Sequence, residues 1–308
     1  MKTLRIDYCD FWNYLDKNDN YLTRLLRRRY DVRICDQPDF VICANYGYHH
    51  RLYTCPRIYF TGEPSSAPDF RRYDYALTWR YIDDPRHFRL PFYPFYFDGE
   101  LLVKSPGEPE SLLAEKTKFC AFVVGNRRAT RRIEFFQKLN RLKPVDSAGR
   151  YLNNIGRSIG GTPEDKLAFL RPYKFNIAFE NQSLPGYTTE KIAEAMRARC
   201  VPVYWGNPRI AEDFNPASFL NYHEFPNEEA LLERMLELDQ NDELYLEMLR
   251  QPFFHGNQVS EAYRGDKLLD FFEKIFSTKI TPVGSRRSWF QVGRWIPVKK
   301  NRAFDPLT

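Results

Sequence analysis

The sequence predicts an α/β protein made of two open, parallel-sheet units, and three observations predict it. Short apolar runs bounded by polar, Pro or Gly residues recur along the chain, as buried strands do. Stretches with apolar residues at helical spacing lie between them. The alternation pauses in a Pro- and aromatic-rich segment, residues 91–109, and restarts at Lys118.

In order, the first unit carries β-type runs at residues 4–9, 40–44, 57–61 and 75–79. A helix is expected over 16–30, where Leu15, Leu22, Leu25 and Leu26 fall on one face. In the second unit, residues 119–124 form a compact apolar run, Gly125-Asn126 a turn and 131–142 a helix with apolar Ile133, Phe135, Phe136 and Leu139. Residues 175–179 read as a buried strand, 188–199 as a helix, and 201–205 as a strand closed by Gly206-Asn207-Pro208. Helices at 227–238, 242–249 and 265–276 follow. The expected organisation is a domain over 1–110, a second over 111–280 and a tail over 281–308, with a ligand cleft between the two domains.

At 308 residues and 43% hydrophobic, the chain can bury one large core or two medium ones. Six cysteines (Cys9, Cys35, Cys43, Cys55, Cys120, Cys200) occur without a CxxC pair or His at zinc spacing, and read as reduced core residues. Asp7 interrupts the apolar start, so neither a signal peptide nor a membrane anchor is expected, and the protein is expected to be cytoplasmic. Of the net charge of +6, the tail supplies most: Arg286, Arg287, Arg294, Lys299, Lys300 and Arg302 stand against Asp305 alone. The nearly neutral body lacks the basic face of a nucleic-acid binder.

The informative stretch is residues 173–208, YKFNIAFENQSLPGYTTEKIAEAMRARCVPVYWGNP. It reads as a strand ending in Glu180-Asn181, a Gly/Pro loop, and a helix capped by Thr188. Free N–H groups and the positive dipole end at that start suit a diphosphate. Lys191 in the first turn opposes the dipole, a conflict that a bound anion would remove, and Glu190 can accept hydrogen bonds from ribose hydroxyls. The plainer reading is a capped helix with a surface Glu-Lys pair.

This stretch resembles the donor-binding signature of family 10 glycosyltransferases, the α-1,3/4-fucosyltransferases. The likeness lies in F-E-N, in the Tyr followed by T-E-K, in V-P-V-Y-W-G, and onward through Asp213-Phe214-Asn215-Pro216 and Ser218-Phe219. It is strong over 173–225 and looser over 57–275. The resemblance implies a GT-B-like fold, two Rossmann-like domains facing each other across a cleft. It also implies inverting transfer of L-fucose from GDP-fucose to an oligosaccharide acceptor of N-acetyllactosamine type. Carried onto this sequence, Asn181 and Tyr187 contact the diphosphate or sugar, Glu190 the ribose and Lys191 a phosphate. A phosphate-binding Arg falls at Arg132, with Arg127, Arg128 and Arg131 close enough in sequence to share the role. No cofactor and no essential metal are implied, and Asp83-Asp84 before Pro85 reads as a solvated turn.

Inverting transfer requires a base, and Glu63 in Tyr59-Phe60-Thr61-Gly62-Glu63-Pro64 is the candidate. It follows a buried strand, and Pro64 biases it toward extended backbone. Taken alone it reads as an exposed turn glutamate; the resemblance, which carries T-G-E here, implies the base. His49-His50, His87, His223 and His255 match no catalytic position of the family, and the paired histidines read as a surface feature.

In the tail, Trp289, Phe290, Trp295 and Ile296 mingle with the cations. This suits either a tether to an anionic membrane surface or a strap on the body. Animal members of the family begin with an anchor and stem, neither of which is expected here. The reading is therefore a bacterial-type cytoplasmic enzyme, peripheral on the inner membrane face if the tail tethers it, acting on lipopolysaccharide or capsule precursors. Three rivals remain: a transferase of this fold using another nucleotide sugar, a non-catalytic GDP-sugar or glycan binder, and nucleic-acid binding through Trp289–Arg302, which has the right residue types but no recognisable module.

Overall fold

The computed structural model describes residues 1–64 and 67–285. Its contacts divide these residues into two units, one formed by Met1–Pro91 with the residues from Gly265 onward, the other by Phe92–Arg264.

The first unit is a six-stranded parallel sheet of β1 (Lys2–Cys9), β2 (Tyr30–Ile34), β3 (Phe40–Cys43), β4 (Arg57–Thr61), β5 (Tyr75–Thr78) and β6 (His87–Arg89), in the order β2-β1-β3-β4-β5-β6. Every residue of β4 and β5 is buried, as expected of strands covered on both faces. The helix expected over 16–30 is only α1 (Tyr21–Leu26). Asp16 folds the preceding segment into a turn by accepting from the amides of Asn18 (2.8 Å) and Asp19 (3.2 Å), and Asn20 then caps the helix by accepting from Thr23 N.

The second unit contains α2 (Glu108–Glu115), β7 (Lys118–Phe122), α3 (Thr130–Leu142), β8 (Asp146–Ser147), α4 (Pro163–Leu170), β9 (Tyr173–Phe179) and α5 (Glu190–Arg197). It continues with β10 (Val201–Trp205), β11 (Leu220–Asn221), α6 (Glu228–Gln240), α7 (Asp242–Arg250) and α8 (Glu261–Arg264). Its five strands run parallel in the order β11-β10-β9-β7-β8. The apolar face of α3 lies on this sheet: Phe136 stacks on Phe122 (4.9 Å) and Phe135 meets Phe179 (4.6 Å). Each such ring contributes on the order of 1.5–3 kcal/mol by leaving water.

The remaining helix, α9 (Asp266–Ser277), packs in the first unit. Its ring at Phe276 meets Phe40 (4.5 Å), Phe271 meets Phe88 (5.5 Å), and Arg29 pairs with Asp270 and Glu273. The contacts thus divide the chain near residues 91 and 264, where the sequence suggested 110 and 280. The basic tail expected over 281–308 lies, from residue 286 on, outside the described residues.

Both sheets are doubly wound. The chain leaves β1 to β2 on one side and returns at β3 on the other, and it leaves β7 to β8 and returns at β9 in the same way. At such a reversal the connections part outside the carboxyl ends of the two central strands, leaving a crevice for a ligand.

Candidate functional site

In the second unit the residues at the reversal are those that follow β7 and β9. Arg132 stands in the first turn of α3, carried there by the turn after β7, and Glu180 and Asn181 follow β9 directly. Glu180 organises the surroundings. Its carboxylate, wholly buried, accepts from Thr189 N (2.7 Å), Thr189 Oγ1 (2.7 Å) and Lys191 Nζ (3.0 Å). Gly206 makes room for it, because a Cβ there would lie 2.5 Å from Glu180 Cγ.

Two expectations change as a result. The cap of α5 is Thr189 and not Thr188, and Thr189 spends both its amide and its hydroxyl on Glu180. Thr188 is buried, and its Oγ1 accepts from Asn207 Nδ2 at 3.1 Å. The conflict between Lys191 and the helix dipole is met inside the protein, since the ammonium lies between Glu180 and Glu190 (3.1 Å). Burial alone would lower the Lys191 ammonium, yet Glu180 and Glu190 hold it above its ordinary value. Burial would likewise raise the Glu190 carboxyl, but Lys191 and Lys166 outweigh it and hold it down to about 2.

Arg132 differs from its neighbours. It is buried, and burial pulls its guanidinium below the ordinary value, partly offset by Glu180, Glu190 and Tyr187. Its Nε has no hydrogen-bond partner among the described residues, nor does the buried Oδ1 of Asn181. Other buried side-chain atoms among the described residues share this lack, Ser147 Oγ and Asn176 Oδ1 among them, but Arg132 and Asn181 follow β7 and β9 at the reversal, where an open α/β sheet takes a ligand. Arg131 is instead committed to Glu228 (2.9 Å) and to the Tyr222 hydroxyl, and Arg127 lies over the Tyr151 ring. Tyr187 is buried in the loop before α5. That loop is pinned by Asn207, whose Oδ1 accepts from Gly186 N at 2.6 Å. Arg132 thus feels the charges of Glu180, Glu190 and Tyr187, Lys191 those of Glu180, Glu190 and Arg132, and Asn181 follows Glu180 in the chain. The structure adds Glu180 and Asn207, for which the motifs F-E-N and G-N-P were the visible signals.

In the first unit Glu63 follows β4, one strand beyond the reversal, and is half-buried. Its Oε1 accepts from Tyr46 Oη (3.0 Å) and its carbonyl oxygen from Trp79 Nε1 (2.8 Å). A carboxylate so held can accept a proton from a bound alcohol. His50, expected at the surface, is buried, because it and His49 both serve the Asp10 carboxylate. Asp84 binds Arg86 through the amide (2.8 Å) and the guanidinium, closing the turn expected there. Among the described residues no helix is long and apolar enough to cross a membrane.

Two family models match the chain: the glycosyltransferase family 10 (fucosyltransferase) C-terminal model over residues 113–255, and the α-(1,3)-fucosyltransferase FucT N-terminal domain over residues 6–96. The chain is 30% identical to α-(1,3)-fucosyltransferase FucT of Helicobacter pylori over 318 aligned positions, covering 88% of this chain and 66% of that protein. It is 32% identical to 4-galactosyl-N-acetylglucosaminide 3-α-L-fucosyltransferase FUT6 of Pongo pygmaeus, covering 71% of this chain and 63% of that one. The chain therefore spans just under two thirds of the length of these relatives. A crystal structure of α1,3-fucosyltransferase with GDP-fucose superposes with a TM-score of 0.74 at 28% identity, covering 91% of this chain and 93% of that one. The corresponding structure with GDP gives 0.76 at 27% identity, covering 92% and 93%.

Proposed function

The chain belongs to glycosyltransferase family 10, with its GT-B-like fold, and from this we propose that it transfers L-fucose from GDP-β-L-fucose to a sugar hydroxyl, with inversion at the anomeric carbon. The observation that carries the proposal is that Arg132 Nε and Asn181 Oδ1, on the segments that follow β7 and β9 at the reversal, are buried with no hydrogen-bond partner among the described residues. That pair suits a ligand with anionic and hydroxyl groups, and the relatives of known structure were crystallised with GDP and GDP-fucose.

In this reading Asn181 and Tyr187 contact the diphosphate or fucose, Glu190 accepts from the ribose hydroxyls, and Arg132 and Lys191 face the phosphates. Glu180 and Glu190 already compensate Lys191, whereas Arg132 Nε has no partner among the described residues. As the bond between the anomeric carbon and the β-phosphate oxygen breaks, its electron pair leaves with GDP and negative charge grows there. A fixed guanidinium stabilises that charge more than it stabilises the bound donor, which lowers the barrier.

Glu63 supplies the base. It takes the proton of the acceptor hydroxyl while that oxygen forms the new bond to the anomeric carbon, so β-linked fucose becomes α-linked. An acceptor of N-acetyllactosamine type, carrying the reactive hydroxyl on N-acetylglucosamine, fits the name of the Pongo pygmaeus relative. The basic, aromatic tail would bring the enzyme to an anionic membrane surface where lipid-linked glycans reside.

The test is Glu63→Gln. The variant is expected to bind GDP-fucose with wild-type affinity by titration calorimetry and to lose turnover by about 100-fold or more. Transfer at near wild-type rate would show that Glu63 is not the base.

A further inference from the structure

We propose that Tyr46 is a positioning residue for the Glu63 carboxylate, fixed in place by the buried carboxylate of Asp10. The inference rests on the reading of Glu63 as the base, and it adds a device that holds that base in one orientation.

The chain of contacts starts at the reversal point of the first sheet. Asp10 follows β1 in the left-handed region, with φ of 59°, a conformation Asp tolerates at some cost. Its main-chain oxygen accepts from Tyr46 N at 2.9 Å. Its side chain, with no exposure, accepts from His49 N (2.7 Å) and His50 N (2.9 Å), and the Nδ1 atoms of the same two histidines lie 2.9 and 2.8 Å from it. The loop between β3 and β4 is therefore tied to one residue at five points. Gly47 permits this closeness, since a Cβ there would stand 2.4 Å from Asp10 Oδ1.

What that loop presents is Tyr46. The edge of Trp12 packs against its ring (centroids 6.1 Å apart, planes at 82°), and its hydroxyl donates to Glu63 Oε1 at 3.0 Å. Burial, reinforced by the neighbouring Glu63, pushes the phenol far above its ordinary value, so it stays a donor at every working pH. From the other end, Trp79 Nε1 fixes the Glu63 carbonyl at 2.8 Å, and Glu63 N donates to Thr61 Oγ1 at 3.1 Å. A glutamate side chain has rotamer freedom to lose. Holding one carboxylate oxygen restricts where the other can lie, and misplacing a catalytic group by about 1 Å costs on the order of 100-fold in rate.

The experiment is a double-mutant cycle in the full chain: Tyr46→Phe, Glu63→Gln and both together, with kcat, the KM for GDP-fucose and thermal melting measured for each. Tyr46→Phe keeps the ring on Trp12 and removes only the hydroxyl. It is expected to lower kcat by about 10- to 100-fold with the donor KM and the melting temperature unchanged, and to have less than about a two-fold effect once Glu63 is glutamine. Asp10→Asn, if it folds, is expected to lower kcat in the same sense. If Tyr46→Phe keeps wild-type kcat, or lowers activity by the same factor with and without Glu63, the positioning role is refuted. Near wild-type turnover by Glu63→Gln alone would instead remove the base itself, a separate failure that the cycle reads directly.

Discussion

Replacing Arg132 by lysine keeps a cation in the buried site and removes the planar fork, so it isolates what the guanidinium does. That guanidinium carries a desolvation cost, offset in part by Glu180 and Glu190, and its Nε has no partner among the described residues. Binding a diphosphate supplies the missing partner. A hydrogen bond to a charged group contributes about 1.5–3 kcal/mol, equivalent to roughly 10- to 150-fold in affinity. Lysine recovers part of this as a point charge, so the expected loss lies toward the lower end, about 10- to 30-fold in Kd for GDP. Titration calorimetry with GDP and with guanosine in parallel reads it. Guanosine has no phosphates, so its affinity should not change. Arg131→Lys is the control: that side chain is committed to Glu228 and Tyr222, and GDP affinity should stay within about three-fold of wild type. Parallel losses for GDP and guanosine, or an equal loss in Arg131→Lys, would refute the assignment of the phosphate to Arg132.

Glu180→Gln should destabilise the protein by about 2–4 kcal/mol in urea unfolding and abolish GDP binding, because it removes the buried countercharge of Lys191 and sets an amide against donors. A change below about 0.5 kcal/mol would contradict the role given to Glu180. Burial alone would raise the Asp10 carboxyl from its ordinary 3.8, but hydrogen bonds from His50 and His49 outweigh it and hold it down to about 2. Its folded value being the lower one, Asp10 contributes stability that is complete above about pH 4 and is lost as pH falls toward 2, amounting to about 2 kcal/mol. Wild type should therefore lose about 1.5 kcal/mol more than Asp10→Asn between pH 6 and pH 2.5, and identical losses would contradict it. Replacing both Trp289 and Trp295 by serine should reduce co-sedimentation of the full chain with anionic vesicles while leaving its turnover of a soluble acceptor unchanged; undiminished co-sedimentation would argue against the tether.

How much of this was legible in the sequence depended on the range of the interactions. Local signals carried the strands at 57–61 and 201–205 to their observed ends, since a fully buried parallel strand is a continuous apolar run. The helix α4 was missed although Thr162-Pro163-Glu164-Asp165 forms a capping box there, a readable start in a segment of weak apolar periodicity. Two residues of β8 give no pattern at all. Long-range partnerships left no trace. The stripe on α9 is plain in the sequence, but its partners Phe40 and Phe88 lie some two hundred positions earlier, so its unit was misjudged. Thr188 looked like a cap because Ser and Thr usually are, until Glu180 claimed the next residue. Tyr46 stands 17 positions before Glu63, in another loop, and nothing in either segment announces the hydrogen bond. The candidates Asn181, Tyr187, Glu190 and Lys191 came from a motif that folds as one strand–loop–helix unit, an arrangement in which sequence order and spatial order coincide, whereas Arg132 lies on α3 and came from a separate segment.

Fucosyl transfer itself is tested most directly by incubating the full chain with galactose–N-acetylglucosamine acceptors, offering GDP-fucose in one reaction and GDP-mannose in another, and resolving the products by mass and anomeric NMR. The expected product gains one deoxyhexose, α-linked to the N-acetylglucosamine, and forms only from GDP-fucose. No product from GDP-fucose, transfer from the other donor, or a β-linked product would contradict the assignment.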